Sequence, residues 1–227
     1  VIIGLGARLQ VFQNASICDI TAQDEFDLSR PGREKCAFFC ISSDQDSTFD
    51  FLSSLFFSFL FIKLVRYADA EGVDGKLPIG VNFVLDEFPN LGVINDFKKK
   101  ISTVRSRNIG ISVIFQNIAQ LKNRYPNDEY LEILGNCDTQ IALGCTDEVT
   151  ARFISNRTGE VTIDVNSQSK QLYAMRMTDY TPEYRETNSV GRRKLMTADE
   201  VLRLPLDEAL IILRGQNVFK VKKFDYT

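Results

Sequence analysis

There is no histidine in this sequence. That absence removes the usual base of Ser-His and Cys-His hydrolases, and with it the mixed Cys/His zinc patterns. A G-x-x-x-x-G-K-[ST] phosphate loop is also missing. The only Gly-Lys pair, Gly75-Lys76, is followed by Leu77 and has no leading glycine, and Gly4-Leu5-Gly6 is too weak a pattern to count as one. A phosphate cradle is therefore expected upstream of this chain or not at all. Long hydrophobic runs are absent too: the most apolar stretch, Phe51 to Ile62, has 12 residues between Asp50 and Lys63. A membrane span needs about 20, so this stretch predicts a buried core helix. The opening VIIGLGARLQVFQ carries no basic leader and no small-residue cleavage site. It lacks an initiator methionine and begins in mid-pattern, as expected of a piece of a longer protein. Neither sign of charge dominates, with a net charge of −3 and a pI near 5.2. Any nucleic-acid contact must then come from a local patch or from an assembled oligomer.

What is present is ordinary globular material. The 227 residues are 44% hydrophobic and 25% charged, which suits one large domain or one domain with an appended element. Five cysteines, Cys18, Cys36, Cys40, Cys137 and Cys145, lie scattered among apolar residues. The odd count and the scatter favour buried thiols acting as small hydrophobes in a reducing compartment.

Along the chain, Val1, Leu5 and Leu9 stand at i, i+4 spacing and suggest the tail of a helix over the first 13 residues. Asp24 to Lys35, broken by Pro31-Gly32, reads as a loop. Cys36 to Ile41 (CAFFCI) is a short continuous apolar run, the pattern of a strand covered on both faces. A long helix follows, capped by Asp46 or Ser47 and running to about Ala70. GVNFVLDE then reads as a second buried strand. In NDFKKKISTVRSRN the apolar residues Phe97, Ile101 and Val104 stand at helical spacing. ISVIFQ and TQIALG read as third and fourth strands, separated by helical sequence from Asn117 to Leu134 with a break at Pro126. Another helix covers Thr146 to Asn156. This alternation predicts an α/β fold with a mainly parallel sheet flanked by helices. The rhythm then stops. Residues 161–193 are polar and read as an exposed, mobile excursion or hairpin. Thr197-Ala-Asp-Glu200 matches a capping box, and EALIILRG with VFKVKKFDY predicts a closing antiparallel hairpin.

The strongest chemical signal is Val81-Asn-Phe-Val-Leu-Asp86-Glu87, a hydrophobic strand ending in adjacent acids. Open α/β sheets bind ligands at the carboxyl ends of their strands. There Asp86 would help hold Mg²⁺ and Glu87 would polarise an attacking water, the Walker B arrangement. An acid pair that merely caps a strand in a solvated turn gives the same pattern. Gln116 ends the next strand, where an amide can touch both a γ-phosphate and the nucleophilic water, or simply bond a turn. Arg105 and Arg107, in TVRSR, could stabilise charge on a transferring phosphoryl group. They could equally belong to a solvated basic face with Lys98 to Lys100.

FVLDEFPNLG, TVRSRNIGISVIFQNIAQLKNRY, GNCDTQIALGCTDEVTARFIS and LMTADEVLRLPLDEALIILRG, in that order, closely resemble the TraG-type coupling proteins of conjugative type IV secretion, in a Gram-positive-like variant. The resemblance spans essentially the whole chain and is weakest over 161–190. It implies the C-terminal half of a RecA-like P-loop NTPase domain in a hexameric ATPase anchored in the inner membrane. Such an ATPase receives a relaxase–single-stranded DNA complex and feeds it to the secretion channel proteins. It further implies ATP and Mg²⁺ as cofactors and a membrane anchor outside this chain, with this domain at the cytoplasmic face of the bacterial membrane. Residues 1–20 would close the family's helical domain, and residues 21–227 would be RecA-like. The family's Walker B acids fall on Asp86 and Glu87, its sensing glutamine on Gln116, and its arginine finger on Arg107, with Arg105 as a neighbouring alternative. The Walker A lysine and hydroxyl have no counterpart, so this piece alone is expected to be inactive. Two other readings remain at this point: an FtsK/HerA-like hexameric DNA translocase, and a non-catalytic docking module presenting residues 161–190 to partner proteins.

Overall fold

The computed structural model describes residues 10–42, 50–171 and 183–225. The chain divides into two compact units, Val1–Cys137 and Asp138–Thr227, a division not marked by any composition shift in the sequence.

The first unit is built on two parallel strands, β1 (Val81–Leu85) and β2 (Ile109–Val113), in register from Val81↔Ile109 to Leu85↔Val113. Their alternation decides which face is covered. Phe83 and Leu85 point into the core, whereas Val84 is 68% exposed, so β1 is covered on one face rather than two. Over the covered face lies the long helix α2 (Asp50–Glu71). Its buried residues Phe57, Leu60, Phe61, Leu64 and Ala68 form a single stripe, and the Phe61 ring stacks on Phe83 at 4.2 Å. By length and composition this helix could cross a membrane. Here one stripe of it packs on the first unit's core, while Phe51, Phe59 and Ile62 are exposed beside Lys63 and Arg66, so it is only partly the buried core helix expected. Its proposed caps, Asp46 and Ser47, lie outside the described residues, as does the helical pattern of residues 1–9. The first described elements are a 3₁₀ turn, Gln10–Gln13, and the helix α1 (Ala15–Thr21).

After β1 the chain turns through the 3₁₀ segment Phe88–Leu91. The helix α3 (Phe97–Thr103) then follows and tightens into a 3₁₀ turn, Val104–Arg107. Phe97, Ile101 and Val104 are all buried, as their spacing predicts. After β2 come α4 (Ile118–Arg124) and α5 (Glu129–Gly135), parted near Pro126. Asn117 caps α4 by accepting from the Gln120 amide. Phe61, Phe83, Phe88, Phe97 and Tyr125 form one aromatic cluster under the sheet. Burying each such side chain is worth roughly 1.5–3 kcal/mol. Gly110 stands opposite Asn82 in the parallel pair, where a Cβ would meet Asn82 Oδ1 at 2.5 Å unless that side chain moved.

Two expectations fail in this unit. Cys36–Ile41 forms no strand, and Phe39 and Ile41 are 88% and 95% exposed. A strand needs a neighbour to satisfy its backbone groups, and among the described residues none lies beside this run. For the same reason Cys36 and Cys40 are exposed thiols rather than buried ones; Cys18 is exposed as well, and Cys137 and Cys145 are half-buried.

The second unit holds a three-stranded antiparallel sheet in the order β3 (Thr139–Ala142), β6 (Glu208–Leu213) and β7 (Phe219–Lys222). Parallel pairing is thus confined, among the described residues, to β1 and β2. The antiparallel sheet is covered by α6 (Glu148–Thr158) and α7 (Ala198–Leu202), whose Ala151, Ile154 and Val201 pack on Leu210. Asp147 caps α6, and Thr197 and Glu200 form the anticipated capping box on α7. Between these helices, β4 (Glu160–Gln171) and β5 (Glu183–Lys194) pair over 12 residues as a two-stranded ribbon. The described residues of the polar stretch 161–193 belong to this antiparallel ribbon, and 172–182 lies outside the described residues.

Candidate functional site

β1 delivers its acids by stopping where it does. Beyond the last regular pair, Ile114 N donates to Leu85 O and Phe88 N donates to Ile114 O, both at 2.9 Å. This extension holds the carboxyl ends of β1 and β2 side by side. Between these two bonds sit Asp86, exposed, and Glu87, half-buried.

Glu87 adopts a left-handed conformation, φ 44° and ψ 44°. For a residue with a Cβ this costs of order 1–2 kcal/mol, and such strain clusters at functional sites. The turn lets the Glu87 amide donate to Asp86 Oδ1 at 3.0 Å. It also brings Glu87 Oε1 within 3.0 Å of Gln116 Nε2, which donates to it. Asp86, Glu87 and Gln116 are therefore brought together as the sequence suggested. Behind the turn, Phe88 and Pro89 are buried, and the Phe88 ring lies flat on Tyr125 at 5.2 Å. Tyr125 Oη accepts from the buried Ile94 amide at 3.2 Å. Burial pushes the Tyr125 phenol up to about 12. These contacts fix the floor on which the acid turn rests, a role that no sequence motif announces.

Arg105 and Arg107 lie elsewhere. Both belong to the 3₁₀ turn that enters β2, so they sit at the amino end of the strand pair. Five-residue strands rising about 3.3 Å per residue separate that end from the acids by at least about 16 Å. Arg105 is exposed. Arg107 Nε donates to Asp69 Oδ1 at 2.8 Å, and its Nη2 donates to Asp69 Oδ2 at 3.2 Å. Asp69, 38 residues away at the end of α2, carried no sequence signal.

A metal could be held here only in a particular way. Among the described residues no group of three or more Cys, Asp or Glu side chains converges. Asp86 offers one exposed carboxylate, with Oδ1 already accepting from the Glu87 amide. A single hard oxygen donor suits Mg²⁺, which keeps most of its waters and binds through one or two carboxylates plus substrate phosphates. The donor set fits that ion and does not fit a closed protein cage.

The matching family model is the one described as Type IV secretory system Conjugative DNA transfer, and it covers residues 1–226. The chain belongs to that family. Protein VirD4 of Rhizobium rhizogenes is 25% identical over 201 residues, covering 88% of this chain and 28% of the relative. Conjugal transfer protein TraG of Escherichia coli is 31% identical over 149 residues, covering 61% of this chain and 22% of the relative. The chain thus spans about a quarter of the length of these relatives. Among solved structures, the conjugative coupling protein TrwBdeltaN70 in its trigonal form with sulphate superposes with a TM-score of 0.59. The identity is 16%, over 77% of this chain and 37% of that one. TrwB in complex with ADP and Mg²⁺ gives 0.55 at 15% identity, with the same coverage. At such identities the likeness shows the fold, which is part of a RecA-like P-loop NTPase fold. This coupling-protein chain therefore has the α/β, RecA-like fold class expected of it, with the antiparallel β6–β7 hairpin at its end. Among the described residues, however, only β1 and β2 pair in parallel, rather than most of the sheet.

Proposed function

We propose that this chain supplies the water-activating and sensing half of an ATP-hydrolysing motor that drives conjugative DNA transfer. The observation that carries the reading is the convergence of Asp86, Glu87 and Gln116 where β1 and β2 end. Asp86 is the residue that would hold Mg²⁺, which when bound neutralises charge on the β- and γ-phosphate oxygens. Glu87 takes the proton from the attacking water, and Gln116, already bonded to Glu87, reports the γ-phosphate to it. Phosphate binding itself falls to a glycine-rich loop in a preceding segment, because this sequence has none.

Arg107 is proposed to act on a neighbouring subunit's nucleotide. Its place at the opposite end of the strands from Glu87 supports service to a site other than that of its own chain's acids, and suits a ring in which one subunit's arginine faces the next. On this reading the working unit is a homo-hexamer at the cytoplasmic face of the cell membrane. Its membrane anchor lies in another part of the protein, and it passes a relaxase–single-stranded DNA complex to the secretion channel. Residues 1–20 close a helical domain, and 21–227 form the C-terminal part of the nucleotide-binding domain. The test is Mg-ATP hydrolysis by a protein extended upstream to include a phosphate loop. Turnover that survives Glu87→Gln would remove Glu87 from the chemistry.

A further inference from the structure

From the geometry at the end of α2 we infer that Asp69 is a positioning residue for Arg107, fixing the plane and direction of its guanidinium. The inference rests on the proposed catalytic role of Arg107 and deepens it. Both carboxylate oxygens of Asp69 are used, one on Nε and one on Nη2, in the side-on pairing that fixes a guanidinium in a plane. The remaining terminal nitrogen, Nη1, donates to the Thr103 carbonyl at 3.2 Å and lies 3.5 Å from Ser106 Oγ. Four of the five N–H groups an arginine carries are thus directed by three elements, α2, the end of α3 and the turn that enters β2. The backbone beneath is tied as well, because the Arg107 carbonyl accepts from Leu77 N at 3.1 Å.

The Asp69 side chain is 51% exposed and that of Arg107 is 26% exposed. Being bidentate and half-sheltered, the pair also makes a modest contribution to stability by joining α2 to the turn before β2. Beyond that it supplies orientation. A long side chain that must meet developing charge loses rate when it has to search for its geometry, and locking its rotamer through a second group removes that search. Arginine suits the task and lysine does not, because a planar fork has a direction that a carboxylate can set.

The experiment uses the upstream-extended protein and measures kcat and KM for Mg-ATP together with the melting temperature. Asp69→Ala is expected to lower kcat about tenfold or more, with KM changed less than about threefold and Tm nearly unchanged. Asp69→Glu, which keeps a carboxylate, is expected to recover part of the loss. The deciding comparison is the double variant. If Asp69 works through Arg107, Asp69→Ala has no further effect once Arg107→Ala is present. An equal loss in both backgrounds, or a wild-type or higher kcat in Asp69→Ala alone, overturns the positioning role. If Arg107→Ala itself turns over ATP normally, it is the assignment of Arg107 that fails, and this outcome is read before Asp69 is considered.

Discussion

Gln116 Nε2 donates to Glu87 Oε1 over 3.0 Å, joining the ends of two strands from residues 29 positions apart. The bond ties the group proposed to sense phosphate to the group proposed to activate water, so a shift of one is felt by the other. In the upstream-extended protein Glu87→Gln should still bind ATP, and its new amide oxygen can still accept from Gln116. Its turnover should fall by about 10²-fold or more, the usual contribution of a positioned base. Phosphate release and nucleotide binding measured on the same preparation check this. Near-normal release would show that the water is activated by another group.

Arg107 lies at the end of β2 remote from Glu87, so the two are expected to act in different copies' sites. Mixing Arg107→Ala with Glu87→Gln protein should then create some composite sites with both groups intact, and ATPase activity should reappear. Mixtures that co-assemble, as judged by mass, and stay inactive at every ratio would show that the arginine does not act in trans.

The Tyr125 phenol gives the first unit a stability that depends on alkaline pH. Its ionisation is held up, chiefly by burial, to about 12, whereas in the unfolded chain it titrates near 10. The folded state therefore prefers the protonated phenol. That preference is fully present below about pH 10 and is lost as pH rises through about 12, amounting to on the order of 2–3 kcal/mol. Tyr125→Phe should remove this dependence. It should also cost about 1–3 kcal/mol at neutral pH, because the buried Ile94 amide loses its acceptor. Urea unfolding of both proteins between pH 8 and 12 measures the two effects. Parallel pH curves would show that the phenol is not the group responsible.

Alone, this chain should fold yet bind nucleotide weakly. Phe61, Phe83, Phe88, Phe97 and Tyr125 supply a core, but Asp86 and Glu87 present a triphosphate with negative charge at close range, which is repulsive. Titration calorimetry with Mg-ATP should give a dissociation constant weaker than on the order of ten micromolar. Tighter binding would require a phosphate site within these residues that the sequence does not reveal.

Local chemistry was legible in the sequence. The hydrophobic run in Val81–Leu85 marks a strand, though not that only one of its faces is covered, and the adjacent Asp86 and Glu87 mark its end. The spacing of Phe97, Ile101 and Val104 names the buried face of α3, and Thr197 with Glu200 fixes the start of α7. Each of these signals is complete within about one turn or one strand, because periodicity and capping depend on neighbours in sequence. Gln116 was legible for the same reason, as the residue that follows an apolar run. Partnership was not legible. The run Cys36–Ile41 has the composition of a covered strand, yet composition cannot supply the neighbour that would complete its hydrogen bonds. β3 pairs with β6, Thr139 against Leu213, although nothing near Thr139 names that partner or its direction. The left-handed turn at Glu87 and the grip of Asp69 on Arg107 follow from how α2 and the two strands pack. The sequence by itself determined where the acids and the glutamine stand along the chain, how α7 is capped and which face of α3 is buried. Tertiary structure decided which of them meet, because contacts across 29 or 38 residues are set by packing and carry no local pattern.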